Sequence, residues 1–170
     1  MVDASVGIVR PRIVLICHEG DRMDAEGLAA WLASRFELVG MVKLHEKPGR
    51  LITKARREIR RVGLLRFLDV LAYRLYYRLR LARRDSAWLE TELARLRSRY
   101  PADISAVPTL VTSDPNSELA QGFLSRLRPD MVIARCKFIL RPEVFSIARH
   151  GTYVLHPGIC PEYRNAHGCF

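Results

Sequence analysis

The chain has 170 residues, is 49% hydrophobic and 27% charged, and carries a formal net charge of +10. That length and apolar content suit one globular domain with a real core and exclude general disorder. The charge points to nucleic acid only until it is located. Residues 54–84 hold eleven Lys/Arg and two Asp/Glu, net +9, whereas the other 139 residues hold 17 and 16, net +1.

Four cysteines, Cys17, Cys136, Cys160 and Cys169, include no CxxC pair. That spacing argues against a structural zinc site or a disulfide scaffold, and no metal site is expected. No apolar run reaches the roughly 18 residues a membrane span needs. Arg10 and Arg12 interrupt the N-terminus where a signal peptide would place its apolar core. The expectation is a cytoplasmic protein with reduced thiols.

In chain order, Arg12–Cys17 is a short β-branched apolar run bounded by His18-Glu19-Gly20-Asp21, the pattern of a buried parallel strand. Residues 23–36 place Leu28, Trp31, Leu32 and Phe36 at helical spacing, with Asp21 or Asp24 available as cap. Leu38–Leu44 is a second strand. Residues 50–99 are helical, with Gly63 the single Gly or Pro; Leu64, Leu68, Leu71, Leu75 and Leu79 form one stripe, and Arg66, Arg74 and Arg78 another. Pro101 ends the run. A third strand fits Val107–Val111, and Asp114-Pro115-Asn116-Ser117 opens a helix through Leu127. Pro129–Ala134 is a fourth strand, Pro142–Ala148 a short helix, and Gly151–His156 a fifth strand.

Strands alternating with helices imply an α/β fold, a mostly parallel sheet with helices on both faces. Such sheets bind ligands beyond the C-terminal ends of their strands. His18, Arg135, Lys137 and His156 all fall there. A GxGxxG or Walker-type loop is missing after the first strand, so nicotinamide and ATP have no motif behind them.

The stretch His156-Pro157-Gly158-Ile159-Cys160-Pro161-Glu162-Tyr163-Arg164 is stiffened by its prolines and glycine. A stiff loop after a buried strand suits a general acid/base. Following a Gly-Thr-x-x-Leu strand, it resembles the signature loop of the folate-dependent formyltransferases, the family of methionyl-tRNA, glycinamide ribonucleotide and sugar N-formyltransferases. Upstream, Arg-Pro-Asp-Met-Val-Ile-Ala, Phe-Ile-Leu and Pro-Glu-Val-Phe resemble that family's fourth strand and the loop beside the folate. Residues 129–165 carry the specific likeness, and residues 12–44 and 104–128 agree in pattern.

The resemblance implies a Rossmann-like domain over 1–170 with a long basic helical insertion at 50–100. It implies transfer of a formyl group from the co-substrate 10-formyltetrahydrofolate to a primary amine, small or tRNA-linked. The family histidine falls on His156, which handles protons as the amine attacks and as a tetrahedral oxyanion forms. The apolar wall for the pterin falls on Phe138, Ile139, Leu140 and Phe145. Tyr163 and Arg164 either face the substrate or hold the loop, and His18 is a further candidate for substrate contact.

The sequence departs from the family twice. The family's oxyanion-binding Asn falls on Val154, and the chain stops at Phe170, before the family's Asp. The expectation is a domain incomplete at its C-terminus and inactive as this fragment. The alternative is a non-catalytic formyltransferase-like module that docks through residues 54–84. For that segment three readings stand: a leucine face packed on the sheet, an anionic membrane surface, or nucleic-acid phosphates.

Overall fold

The computed structural model describes residues 10–45 and 50–155. The chain divides into two compact units, one from residues 1–45 and 100–170 and one from residues 46–99.

The first unit is built on five parallel strands, β1 (Arg12–His18), β2 (Glu37–Leu44), β3 (Thr109–Thr112), β4 (Met131–Arg135) and β5 (Thr152–Val154), in the order β3-β2-β1-β4-β5. β1 is central and reads Ile-Val-Leu-Ile-Cys because both of its faces are covered. Val14 and Ile16 join Val42, Leu44, Val132 and Ala134 on one face, beneath α5 (Glu118–Leu127) and α6 (Pro142–Phe145). Ile13, Leu15 and Cys17 face the other way, onto Ala25, Ala29 and Leu32 of a π-wound turn (Met23–Leu28) and α1 (Ala29–Arg35). This is the Rossmann-like α/β arrangement expected from the alternating pattern.

Several boundaries differ from the sequence reading. The fourth strand is Met131–Arg135 and not 129–134, and the fifth is Thr152–Val154 where 151–156 was expected, its last expected residue lying outside the described residues. The third strand begins at Thr109 and not Val107, because Pro108 has no N–H and joins β2 only as an acceptor, from Met41 at 2.9 Å. The short helix stops at Phe145 and not Ala148: the Pro142 carbonyl takes both the N–H and the hydroxyl of Ser146, and the next bond tightens to an i−3 turn, Ile147 N–H to the Val144 carbonyl at 3.3 Å. The helix after β1 opens with π winding, which buries Asp24, Ala25 and Gly27.

The β1–β2 register slips between Ile13 and Val14. Beside that slip, Gly40 lies so close to α5 that a Cβ would sit 2.3 Å from Leu127 Cδ1 and 3.4 Å from the Phe123 ring. Gly40→Val therefore pushes the Leu127 side chain out of its place and crowds the Phe123 ring on α5. The expected loss is about 1–3 kcal/mol of unfolding free energy, and an unchanged urea midpoint would rule out this close approach.

The second unit comprises α2 (Arg50–Val62), α3 (Leu64–Tyr76), a π-helical turn (Tyr77–Leu81) and α4 (Ala82–Arg99). Gly63 separates α2 from α3 with φ +83°, a conformation other residues resist. Neither α3 nor the turn after it buries a residue, and Leu64, Leu68, Leu71, Leu75 and Leu79 are all exposed.

Candidate active site

Because the five strands are parallel, their C-terminal ends share one edge, at His18, Leu44, Thr112, Arg135 and Val154. From β1 the chain first builds outward through β2 and β3, then returns to the other side of β1 for β4 and β5. The loops leaving β1 and β4 thus diverge at the switch point, where open α/β sheets leave a ligand crevice.

The two loops touch there. The Lys137 N–H donates to His18 Nε2 at 3.3 Å, and the His18 and Phe138 rings lie 6.4 Å apart at 35°. His18, expected to be a substrate contact, therefore also braces the start of the loop expected to form the folate wall. Within that loop, Phe138 and Leu140 pack partly against the core, and Ile139 is 90% exposed. Phe145 is exposed on α6, and its carbonyl accepts from the Thr152 hydroxyl at 3.0 Å.

Two residues at this edge were read from sequence only as cap or turn formers. Asn116 clamps the wall loop with both ends of its amide. Its Nδ2 donates to the Ile139 carbonyl at 3.0 Å, and its Oδ1 accepts from the Arg141 N–H at 2.8 Å. The Asp114 carboxylate holds the Asn116 N–H at 2.9 Å, and Gln121 donates to the Asn116 carbonyl at 2.8 Å. The Asp-Pro-Asn-Ser turn that starts α5 thereby also positions a loop 23–25 residues further along the chain.

Asp24 is the second. It is buried beside β1 and pairs with Arg135 at 3.3 Å, while Arg135 also reaches the Leu155 carbonyl at 3.4 Å. Burial pushes the Asp24 carboxyl above its ordinary value, helped by the charge of Asp21 and opposed by Arg135. The sequence places Arg135 only at the C-terminal end of a strand. In the fold it ties the turn after β1 to the residue after β5.

His156, Tyr163 and Arg164 lie outside the described residues, as do Cys160 and Cys169. Val154 pairs in register with Ala134, and its side chain is exposed. Leu155 follows, its N–H donating to the Ala134 carbonyl at 2.9 Å. Among the described residues, no cluster of His, Cys, Asp or Glu is arranged to hold a metal ion. A shallow cavity of about 390 Å³, lined by Arg128, Pro129, Asp130 and Arg149, sits where β4 begins, at the other end of the strands.

Cys17 ends the buried core of β1. Burial, and secondarily the Asp24 charge, pushes its thiol up to about 12. A thiol so rarely ionised is a poor nucleophile. Iodoacetamide at mildly alkaline pH is expected to leave Cys17 unmodified in the native protein and to modify it in urea, read by peptide mass spectrometry. Native labelling of Cys17 would contradict its burial.

No protein-family model matches the chain. It is similar to the curated methionyl-tRNA formyltransferase of Chlorobium limicola, with 40% identity over 60 residues, 35% of this chain and 19% of that protein. It is also similar to the methionyl-tRNA formyltransferases of Thermotoga neapolitana, 33% identical, and Thermotoga maritima, 38% identical. Each of these matches spans 66 residues, 38% of this chain and 21% of the relative. The matched segments span about a fifth of the curated relatives' length.

Proposed function

We propose that the formyltransferase-like region carried by this chain serves, in the whole protein, to move a formyl group from 10-formyltetrahydrofolate to a primary amine. The observation that carries the reading is the meeting of the β1 and β4 loops at the switch point, with an apolar loop pinned there by Asn116. The residues fit the co-substrate in kind. A flat pterin needs an apolar wall, and Phe138, Ile139 and Leu140 offer one with Ile139 facing solvent.

Bound there, 10-formyltetrahydrofolate supplies an activated formyl carbon. The chain's own part is to orient and to manage protons. Asn116 holds the wall loop and His18 braces its start. His156 would take the proton the amine loses as its bond to the formyl carbon forms, and pass a proton to the folate N10 as the N10–formyl bond breaks and tetrahydrofolate leaves. Tyr163 and Arg164 contact the acceptor. A tRNA-linked amine is the acceptor named by the relatives, and a small-molecule amine fits the same chemistry. Metal plays no part in this reading.

Calorimetry of the full-length protein with a folate analogue tests it. Saturable binding is the expected result, and Asn116→Ala should weaken it about tenfold, since two hydrogen bonds that fix the loop are lost. A folded full-length sample that takes up no folate analogue would refute the reading. Val154 favours a second one: with no polar group where the family has Asn, the region keeps the fold and binds without transferring. Folate binding with no formylation of any amine would support that alternative.

A further inference from the structure

The helical unit holds what the folate reading leaves unused. From Leu64 to Leu81 the chain winds without interruption, about 27 Å of helix, and buries none of its residues. Leu64, Leu68, Leu71, Leu75 and Leu79 recur every three or four residues and so share one face. They are 44–69% exposed. On α3, Arg74 flanks that face on one side and Tyr76 on the other by 3.6-residue geometry, and Arg78 follows in the π-helical turn. Tyr73, Tyr77 and, on α4, Trp88 are exposed as well. The net +9 of residues 54–84 is concentrated on this unit.

We propose that this helix is an in-plane docking surface for an anionic lipid membrane. Five exposed leucines on one face need an apolar medium, whereas a nucleic acid would engage the arginines and leave the leucines in water. A protein partner would cover the leucines but gives no reason for the arginines beside them or for a unit whose residues 54–84 carry +9, of which this helix holds Arg66, Arg74, Arg78 and Arg80 against Asp69. A bilayer interface with anionic headgroups satisfies both. The leucines enter the acyl boundary, the arginines beside them meet phosphates, and Tyr76 sits at headgroup level. Among the described residues no helix is long and apolar enough to cross a membrane, so the helix lies on the surface. The proposal is independent of formyl transfer.

The test is flotation of the full-length protein with phosphatidylcholine vesicles, with and without phosphatidylglycerol. Partitioning is expected to rise at least about tenfold with the anionic lipid and to fall as salt is added. Arg74→Ala and Arg78→Ala should each lower it about fivefold. Leu71→Asp with Leu75→Asp should abolish it while the far-ultraviolet circular dichroism stays helical. The lipid and salt dependence of the wild-type protein reads the same question should that variant fail to fold. Equal partitioning to neutral and anionic vesicles overturns the proposal. So does binding to a nucleic-acid duplex that the leucine variant leaves intact, or a lipid-indifferent dimer that the leucine variant dissolves.

Discussion

His156→Ala in the full-length protein is expected to lower formyl transfer by about 10²–10⁴-fold, the range for losing a positioned acid/base group. Folate-analogue affinity should change little, because the wall residues belong to a different loop. The loss should therefore appear in kcat and not in KM. The reading rests on chain position. Leu155, bonded to Ala134, still belongs to the edge where the strands end, and His156 is the next residue. His156→Gln keeps a hydrogen-bonding side chain without an acid/base pKa near neutrality, so it should remain slow. Full activity in either variant would remove His156 from the reaction.

Arg135→Met is expected to destabilise the protein by about 2–3 kcal/mol near neutral pH. Breaking a fully buried ion pair costs about 3–5 kcal/mol. The value here is lower because the Arg135 side chain is 34% exposed and screened by water. The effect depends on pH in a definite direction. Asp24 is raised above its ordinary value by burial first and by Asp21 second, so the folded chain holds the Asp24 proton more tightly than the unfolded one. That contribution is fully present below the ordinary aspartate value and is lost as pH rises through the folded value. Removing Arg135 takes away the group that lowers the folded value, so the loss on raising pH becomes larger. Urea titrations should show the variant's deficit growing from acid toward neutral pH and shrinking when Asp24→Asn is added. A deficit that is the same at every pH would mean that the pair contributes no charge coupling.

The strands were legible from sequence for a simple reason. A strand covered on both faces must be apolar throughout, and Ile13–Cys17 and Met131–Ala134 are nearly so. The helices were legible from their period and from Ser117, whose hydroxyl oxygen accepts from the Ala120 N–H. Boundaries shifted where a local group intervened, as at Pro108 and Ser146. The loop expected to be the folate wall was found through a resemblance in its residues, and the structure puts it at the switch point. The sequence shows Asn116 and Asp24 only as turn and cap formers, because the partners that give them a further role, Ile139, Arg141 and Arg135, are 23 to 111 residues away. No periodicity carries a contact of that range.

The opposite held for the basic segment. Its period and its charge were plain in the sequence, yet a leucine stripe beside arginines reads alike whether protein, lipid or nothing covers it. Composition and spacing alone determined that the charge belongs to one helical stretch and that the rest is a nearly neutral α/β domain. Only the tertiary structure decided which apolar faces are buried and which turns clamp which loops. Burial and hydrogen bonding are properties of residues brought together across the sheet, and a linear pattern records one partner at a time.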